Sequence, residues 1–388
     1  MKRVPLDQIA LWSLYGFVGA LQVSIAVSQV LLTVMLLCWV ALLATGRARF
    51  AAPPFFRPLL VYAVLTLVAT AFSVDPVVSV VDDKQLLLFL AVPAICEIAR
   101  GTRARTAVHV IITVGAASAA FGIIQYGILH YNNLGQRPQG TMGHYMTYSG
   151  LLMLVATAAA ARLLFERRDW VWPALVMPAL LVALGLTFTR SAWVGASVAI
   201  AALLLMKDFR LIGLLPVLLA VGIAVAPPQV THRFYSMFNL KDPTGRDRVA
   251  MMREGLRMIG ADPLTGMGPN MVEREYVRFR DPEAVERVNP HLHNVPMQFA
   301  AERGVPALAA WLWFVGSAAI GLWGLLRSGR HRFLAATGLG AIAGMLAAGL
   351  FEHNFGDSEF LLLFLVLMTL PFASERAEPA DAADTATP

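Results

Sequence analysis

The chain has 388 residues, 57% of them hydrophobic and only 14% charged, and its mean hydropathy is +0.64. That balance lies outside the range of soluble globular domains, and the lack of alternating apolar segments excludes a β-barrel, which leaves a polytopic helical membrane protein. The formal net charge of +6 requires no nucleic-acid partner, because topology accounts for most of the basic residues.

Twelve apolar runs predict spans near 9–26, 28–45, 58–73, 85–99, 106–129, 145–164, 171–188, 191–206, 211–226, 305–325, 333–351 and 359–374. Lys2 and Arg3 precede the first run with no small-residue cleavage site, which reads as an uncleaved signal anchor. Cys38 and Cys96 fall inside apolar runs and are expected to be small core residues, neither a disulfide nor a metal pair. With the N-terminus inside, the inward segments carry 17 Lys and Arg, against three (Lys84, Arg137, Arg190) in the short outward loops. Such an excess marks the cytoplasmic side. The other 11 lie in residues 227–304, a loop too long for that rule, which also holds ten acids. The chain therefore divides into nine spans (1–226), a helical outward loop (227–304), three spans (305–374) and a short polar tail (375–388) expected to lack order.

The informative residues are the basic ones on the outer face. Arg190, in Leu186-Thr187-Phe188-Thr189-Arg190-Ser191, joins two apolar runs with almost no loop between them. A charge at that depth faces a cavity or a partner, or else snorkels to headgroups. Arg137 sits in the tight Gly/Pro loop Gly135-Gln136-Arg137-Pro138-Gln139-Gly140-Thr141 and would by itself be an ordinary loop arginine. Together the two suit a pyrophosphate clamp, since guanidinium forks match phosphate oxygens and keep their charge.

Within the long loop, Thr244 and Asp247 resemble a capping box. Val249, Met252, Leu256 and Ile259 form an apolar stripe, and Gly260 with Pro263 closes the helix. Arg246 and Arg248 occupy its first turn, with Arg253 and Arg257 beyond; cations there oppose the helix dipole and suit a bound anion, or form a solvated basic face. Gly266-Met267-Gly268-Pro269 reads as a helix connection, being too short a pattern for a phosphate loop.

Asn289-Pro290-His291-Leu292-His293-Asn294 leaves the loop ahead of a helix with Asn294 as N-cap, Pro296 in its first turn, Gly304 ending it and Pro306 opening the next span. His293 thus precedes a helix N-terminus, whose positive pole disfavours an imidazolium and suits a proton acceptor. A zinc pair is the competing reading, weakened because no third ligand follows at recognisable spacing; a histidine that only bonds backbone is the other. The polar stretch Glu352 to Glu359 caps the last hairpin on the same face and either orients a partner, holds a metal or is solvated.

These residues give the chain a resemblance to the O-antigen ligase family, within the wider group that includes O-antigen polymerases and protein O-oligosaccharyltransferases. The resemblance covers essentially the whole chain. It rests on the twelve spans, Arg137 to Thr141, Thr189 to Ser191, the helix start at Gly245, and most specifically His293-Asn294 followed by nine residues and Gly304. It implies an all-α integral membrane protein of GT-C-like fold with a large periplasmic loop, in the inner membrane of a Gram-negative bacterium, both termini cytoplasmic and the active site periplasmic. It further implies transfer of O-antigen from an undecaprenyl-pyrophosphate carrier to lipid A core, with membrane lipids as the remaining partners, no cofactor and no metal. His293 carries over as the catalytic histidine and Arg137, Arg190 and Arg246 as the donor pyrophosphate site, with Asn294 and Arg248 in supporting positions; His291 lies outside the family pattern.

Charge then suggests a mechanism in which the arginines take the negative charge of the leaving pyrophosphate while His293 accepts the acceptor hydroxyl's proton in one inverting displacement. An O-antigen polymerase would use the same donor with a second lipid-linked glycan as acceptor. A protein O-oligosaccharyltransferase is disfavoured by the short loop and tail. A secondary transporter would have two similar halves with matching broken helices, which the chain lacks.

Overall fold

Long runs of Leu, Val, Ala and Ile with few breakers dictate helices, and the computed structural model is helical, with no strand among the described residues, which are 5–166, 168–239 and 243–377. Lys2 and Arg3 of the expected anchor, Arg167 and most of the polar tail lie outside them. The helices are α1 (Leu6–Ala20), α2 (Ile25–Ala44), α3 (Phe56–Ala71), α4 (Pro76–Asp82), α5 (Ala91–Ile98), α6 (Thr102–Gly127), α7 (Tyr145–Phe165), α8 (Val171–Leu186), α9 (Arg190–Lys207), α10 (Leu214–Val225), α11 (Pro228–Tyr235), α12 (Pro243–Ala261), α13 (Val272–Phe279), α14 (Val295–Ser328), α15 (Arg332–Gly349) and α16 (Ser358–Ser374).

Six of these (α2, α6, α7, α9, α14 and α15) are long and apolar enough to cross a membrane. Shorter apolar helices cover the expected spans at 58–73, 171–188, 211–226 and 359–374. The expected span at 85–99 is a 3₁₀ segment, Asp83–Leu90, running into the eight-residue α5. Its first half carries Asp83, Lys84 and Gln85 among the leucines, and this polar start goes with tighter winding instead of one continuous α-helix.

Burial orders the bundle. The apolar windows of α7 and α15 are 83% and 72% buried, against 33% for α2, so the first two form the centre and α2 the rim. α15 packs on α7, α9, α14 and α16. The α9 contact is backbone-close: a Cβ on Gly195 would stand 2.8 Å from the Gly344 carbonyl, the small-residue approach by which apolar helices associate where no hydrophobic effect separates helix from lipid. α10 has no fully buried residue, so most of its apolar surface is exposed.

The segment between α10 and α14 folds onto the end of the bundle. α12 packs on α14, burying Asp247, Ala250, Met251, Glu254 and Met258. The expected stripe is the wrong face, since Val249, Met252 and Leu256 are exposed. The reason is polar: Asp247 accepts from the backbone of Val285 (2.9 Å) and Glu286 (3.1 Å), and Glu254 from that of Asp281 (2.7 Å), so the loop that follows α13 binds this side. The capping-box expectation fails for the same reason, because Asp247 serves that loop and the helix already begins at Pro243.

Asn294 caps α14, its side chain accepting from Met297 N at 2.9 Å, and the helix breaks at Gly304 (φ 79°, ψ 165°), as the sequence predicts. The break strands the carbonyls of Ala301 and Glu302. The backbone N–H groups of Met267 and Gly268 bond them, each at 2.9 Å. The Gly266–Pro269 turn is therefore a plug for the helix break, where the sequence suggested a simple connection. It also reaches the α3–α4 corner, with Val74 N donating to Met267 O at 2.9 Å.

At one end of the bundle several basic residues are paired: Arg47 with Asp7, Arg100 and Arg376 with Glu97, Arg105 with Glu166, and Arg330 with Glu375. The other end, where α6, α8 and α15 finish and α7, α9, α14 and α16 begin, gathers the remaining polar groups of interest.

Candidate active site

Most of the candidate side chains stand at or near a helix terminus. Arg190 is the first residue of α9, just after Phe188 in a left-handed conformation (φ 55°), and is buried at 8% exposure. Its guanidinium reaches Ser236 beyond α11, at 3.5 Å from the carbonyl and 3.4 Å from the hydroxyl. Arg137 is held in its Gly/Pro loop by its own Nε bond to Leu134 O (2.9 Å) and stacks over the Tyr145 ring at 4.2 Å, at the start of α7. Arg248, on the first turns of α12, donates to Phe351 O at 3.0 Å.

These three arginines line one cavity of about 330 Å³ together with His293 and Glu352. Arg246 is not among its lining residues and is exposed. Helix geometry explains the difference, because residues two apart project about 200° from one another; Thr244, Asp247, Arg248 and Met251 share the cavity face. The structure thus places Arg248, and not Arg246, on the wall of this cavity.

His293 sits immediately before the Asn294 cap, itself in a left-handed conformation (φ 48°). Asn294 also donates to Leu350 O at 3.2 Å, which ties the start of α14 to the end of α15 and brings the loop after α15 beneath the histidine. There Glu352, only 4% exposed, stands with Oε1 3.0 Å from His293 Nδ1 and 3.7 Å from His291 Nε2. The same oxygen accepts from His353 N at 3.0 Å. Burial alone would raise this carboxyl, but the hydrogen bond and charge of His293, with His291 and the His353 amide, bring it down to about 2. Glu352 is therefore an anion at neutral pH. An anion only accepts, so the proton of this contact lies on Nδ1 of His293, and Nε2 is the ring nitrogen not engaged by the carboxylate.

The neighbouring groups differ. Burial, helped by His293, lowers His291 to about 4, and its ring meets that of His293 edge to face, centroids 4.2 Å apart. Burial likewise holds His353 well below its ordinary value. Asp357, bonded to the Thr147 hydroxyl at 2.9 Å, is raised to about 7, by burial first and then by the charges of Glu352 and Glu359.

Glu352 is the residue that sequence reasoning missed. Its distance of 59 positions from His293 hides it, although the polar Glu352 to Glu359 stretch falls on the same predicted face. His291, His293 and Glu352 also bring three ligand-type atoms within 4.8 Å of one another. The third ligand lacking from local spacing is thus supplied by the fold.

No curated protein matches the chain. Residues 174–312 match the family model described as O-Antigen ligase; the stretch runs from α8 through the insert into α14 and contains Arg190, Arg248 and His293.

Proposed function

We propose that the protein is an O-antigen ligase of GT-C type, moving O-antigen polysaccharide from undecaprenyl pyrophosphate to lipid A core at the periplasmic face of the inner membrane. The family whose model the chain matches comprises glycosyltransferase-like enzymes that act on lipid-linked sugars. The observation that carries the proposal is the pairing of His293 with Glu352 at the wall of a cavity that also holds Arg137, Arg190 and Arg248.

The chemistry follows from those positions. An acceptor hydroxyl attacks the anomeric carbon while His293 Nε2 takes its proton, a contribution worth about 10² to 10⁴-fold for a positioned base. The bond from that carbon to the pyrophosphate oxygen breaks, and the leaving group's new negative charge falls to the arginines, which are already fixed by Ser236, Tyr145 and Phe351. Glu352 positions the ring and stabilises the imidazolium that forms. One displacement inverts the anomeric centre, and in this reading twelve membrane spans with the arginine-rich ends inward carry the site.

The test is complementation. In cells whose own ligase is deleted, the wild-type gene should restore polysaccharide-capped lipopolysaccharide and the His293→Ala variant, inserted to the same level, should not. Longer lipid-linked chains with no capped lipopolysaccharide would instead identify an O-antigen polymerase.

A further inference from the structure

A second cavity, of about 210 Å³, meets the first at the histidine pair: His291 lines the smaller one, His293 and Glu352 the larger. The two have opposite chemistry. Asp82, Asp83, Glu302 and Asp357 line the smaller cavity, and its guanidinium, Arg303, is already engaged by Glu302 (2.8 Å) and Asp82 (3.1 Å). An anionic ligand would find no cation to receive it. Hydrogen-bond donors would find acceptors: both carboxylate oxygens of Asp83 are buried and make no hydrogen bond of full geometry, the Thr70 hydroxyl being the one donor beside them. Nδ1 of His353 is likewise buried without a partner. Unmet buried acceptors are rare in a finished fold and point to a missing donor. Phe299 and Phe355, edge to face at 5.5 Å, supply apolar surface beside them.

Apolar ring surface beside several carboxyl groups is a receptor for an uncharged polyhydroxyl ring, whose hydroxyls both donate and accept and whose C–H face is apolar. The volume lies below the roughly 300 to 1,000 Å³ of sites for drug-sized ligands, so it holds one sugar unit and not a chain. We propose that this cavity is the acceptor subsite, taking the uncharged terminal sugar of the acceptor glycan. The assignment rests on the transferase reading above, because a single displacement requires the attacking hydroxyl and the leaving pyrophosphate to stand on opposite sides of the anomeric carbon, and the two cavities flank the proposed base.

The experiment uses the purified full-length protein in detergent and two probes, delipidated core oligosaccharide and inorganic pyrophosphate, each titrated calorimetrically. Asp83→Asn removes an acceptor charge while keeping an oxygen for the Thr70 hydroxyl; Asn270→Gly, at the exposed rim where φ is 60°, removes a polar group and relieves the backbone. Asp83→Asn should weaken oligosaccharide binding at least about tenfold and Asn270→Gly less, both leaving pyrophosphate binding within twofold, while Arg190→Gln should do the reverse. Oligosaccharide binding unchanged in both cavity variants, absent from wild type, or lost in step with pyrophosphate in Asp83→Asn would overturn the assignment. Failure of the transferase reading has a separate signature: wild-type protein that binds both probes and moves no glycan.

Discussion

Glu352→Gln is the sharpest perturbation of the proposed chemistry. The substitution keeps the side-chain shape and removes the charge that holds His293 Nδ1–H at 3.0 Å. The carboxyl is lowered from 4.5 to about 2 although burial opposes ionisation, which at about 1.4 kcal/mol per unit is about 3 kcal/mol of favourable interaction between the anion and its histidines. If the imidazolium formed in the transition state draws on most of that, kcat falls about 10²-fold. Steady-state transfer rates measured as a function of both substrates read the effect. We expect a loss in kcat with both KM values nearly unchanged. A folded Glu352→Gln protein with kcat within threefold of wild type would refute the reasoning.

Other expectations follow from the same geometry. Arg190→Gln and Arg137→Gln should each lower kcat about 10² to 10³-fold in the transfer assay, whereas Arg246→Gln, outside the cavity, should remain within threefold of wild type; equal losses in all three would restore Arg246 to the site. Asp357 has a folded-state value near 7 against an ordinary 3.8, so the native state binds the extra proton and stability should fall as pH rises from about 4 through about 7. Glu352 works in the opposite sense, its stabilisation present above 4.5 and lost as pH falls towards 2. Asp357→Asn should therefore raise the thermal midpoint in detergent at pH 8 and flatten its decline between pH 4 and 7; an unchanged curve would remove Asp357 from the account. Gly304→Ala would put a Cβ 2.2 Å from Leu264 O at a φ of 79°, and should cost about 3 kcal/mol or more in stability, read as a large fall in thermal midpoint; a variant as stable as wild type would mean that the α14 break relaxes freely.

The sequence shows the parts of this protein that are local. Apolar runs locate the helices, Asn294 and Gly304 mark the two ends of the helix behind His293, and the arginine distribution separates the two ends of the bundle. Tertiary contacts decide the rest. The buried face of α12 is the one whose carboxylates, Asp247 and Glu254, receive backbone N–H groups from the loop after α13, and hydrophobic periodicity points to the other side. The Gly266–Pro269 turn acquires its role only because α14 strands two carbonyls beside it. Arg246 and Arg248 were separable in principle by helical angle alone, once Asp247 was known to face inward. Glu352 needed the fold, since nothing in the local pattern around His293 announces a carboxylate from the far side of α15.

The most direct measurement of the central claim is ligation in vitro, with purified wild type and His293→Ala in nanodiscs, given lipid-linked O-antigen and lipid A core, with and without EDTA. The His291, His293 and Glu352 cluster makes the chelator arm decisive. The account predicts transfer by wild type that EDTA leaves unchanged and no transfer by the variant. Transfer by His293→Ala at the wild-type rate, or transfer abolished by EDTA and restored by a divalent metal, would contradict it.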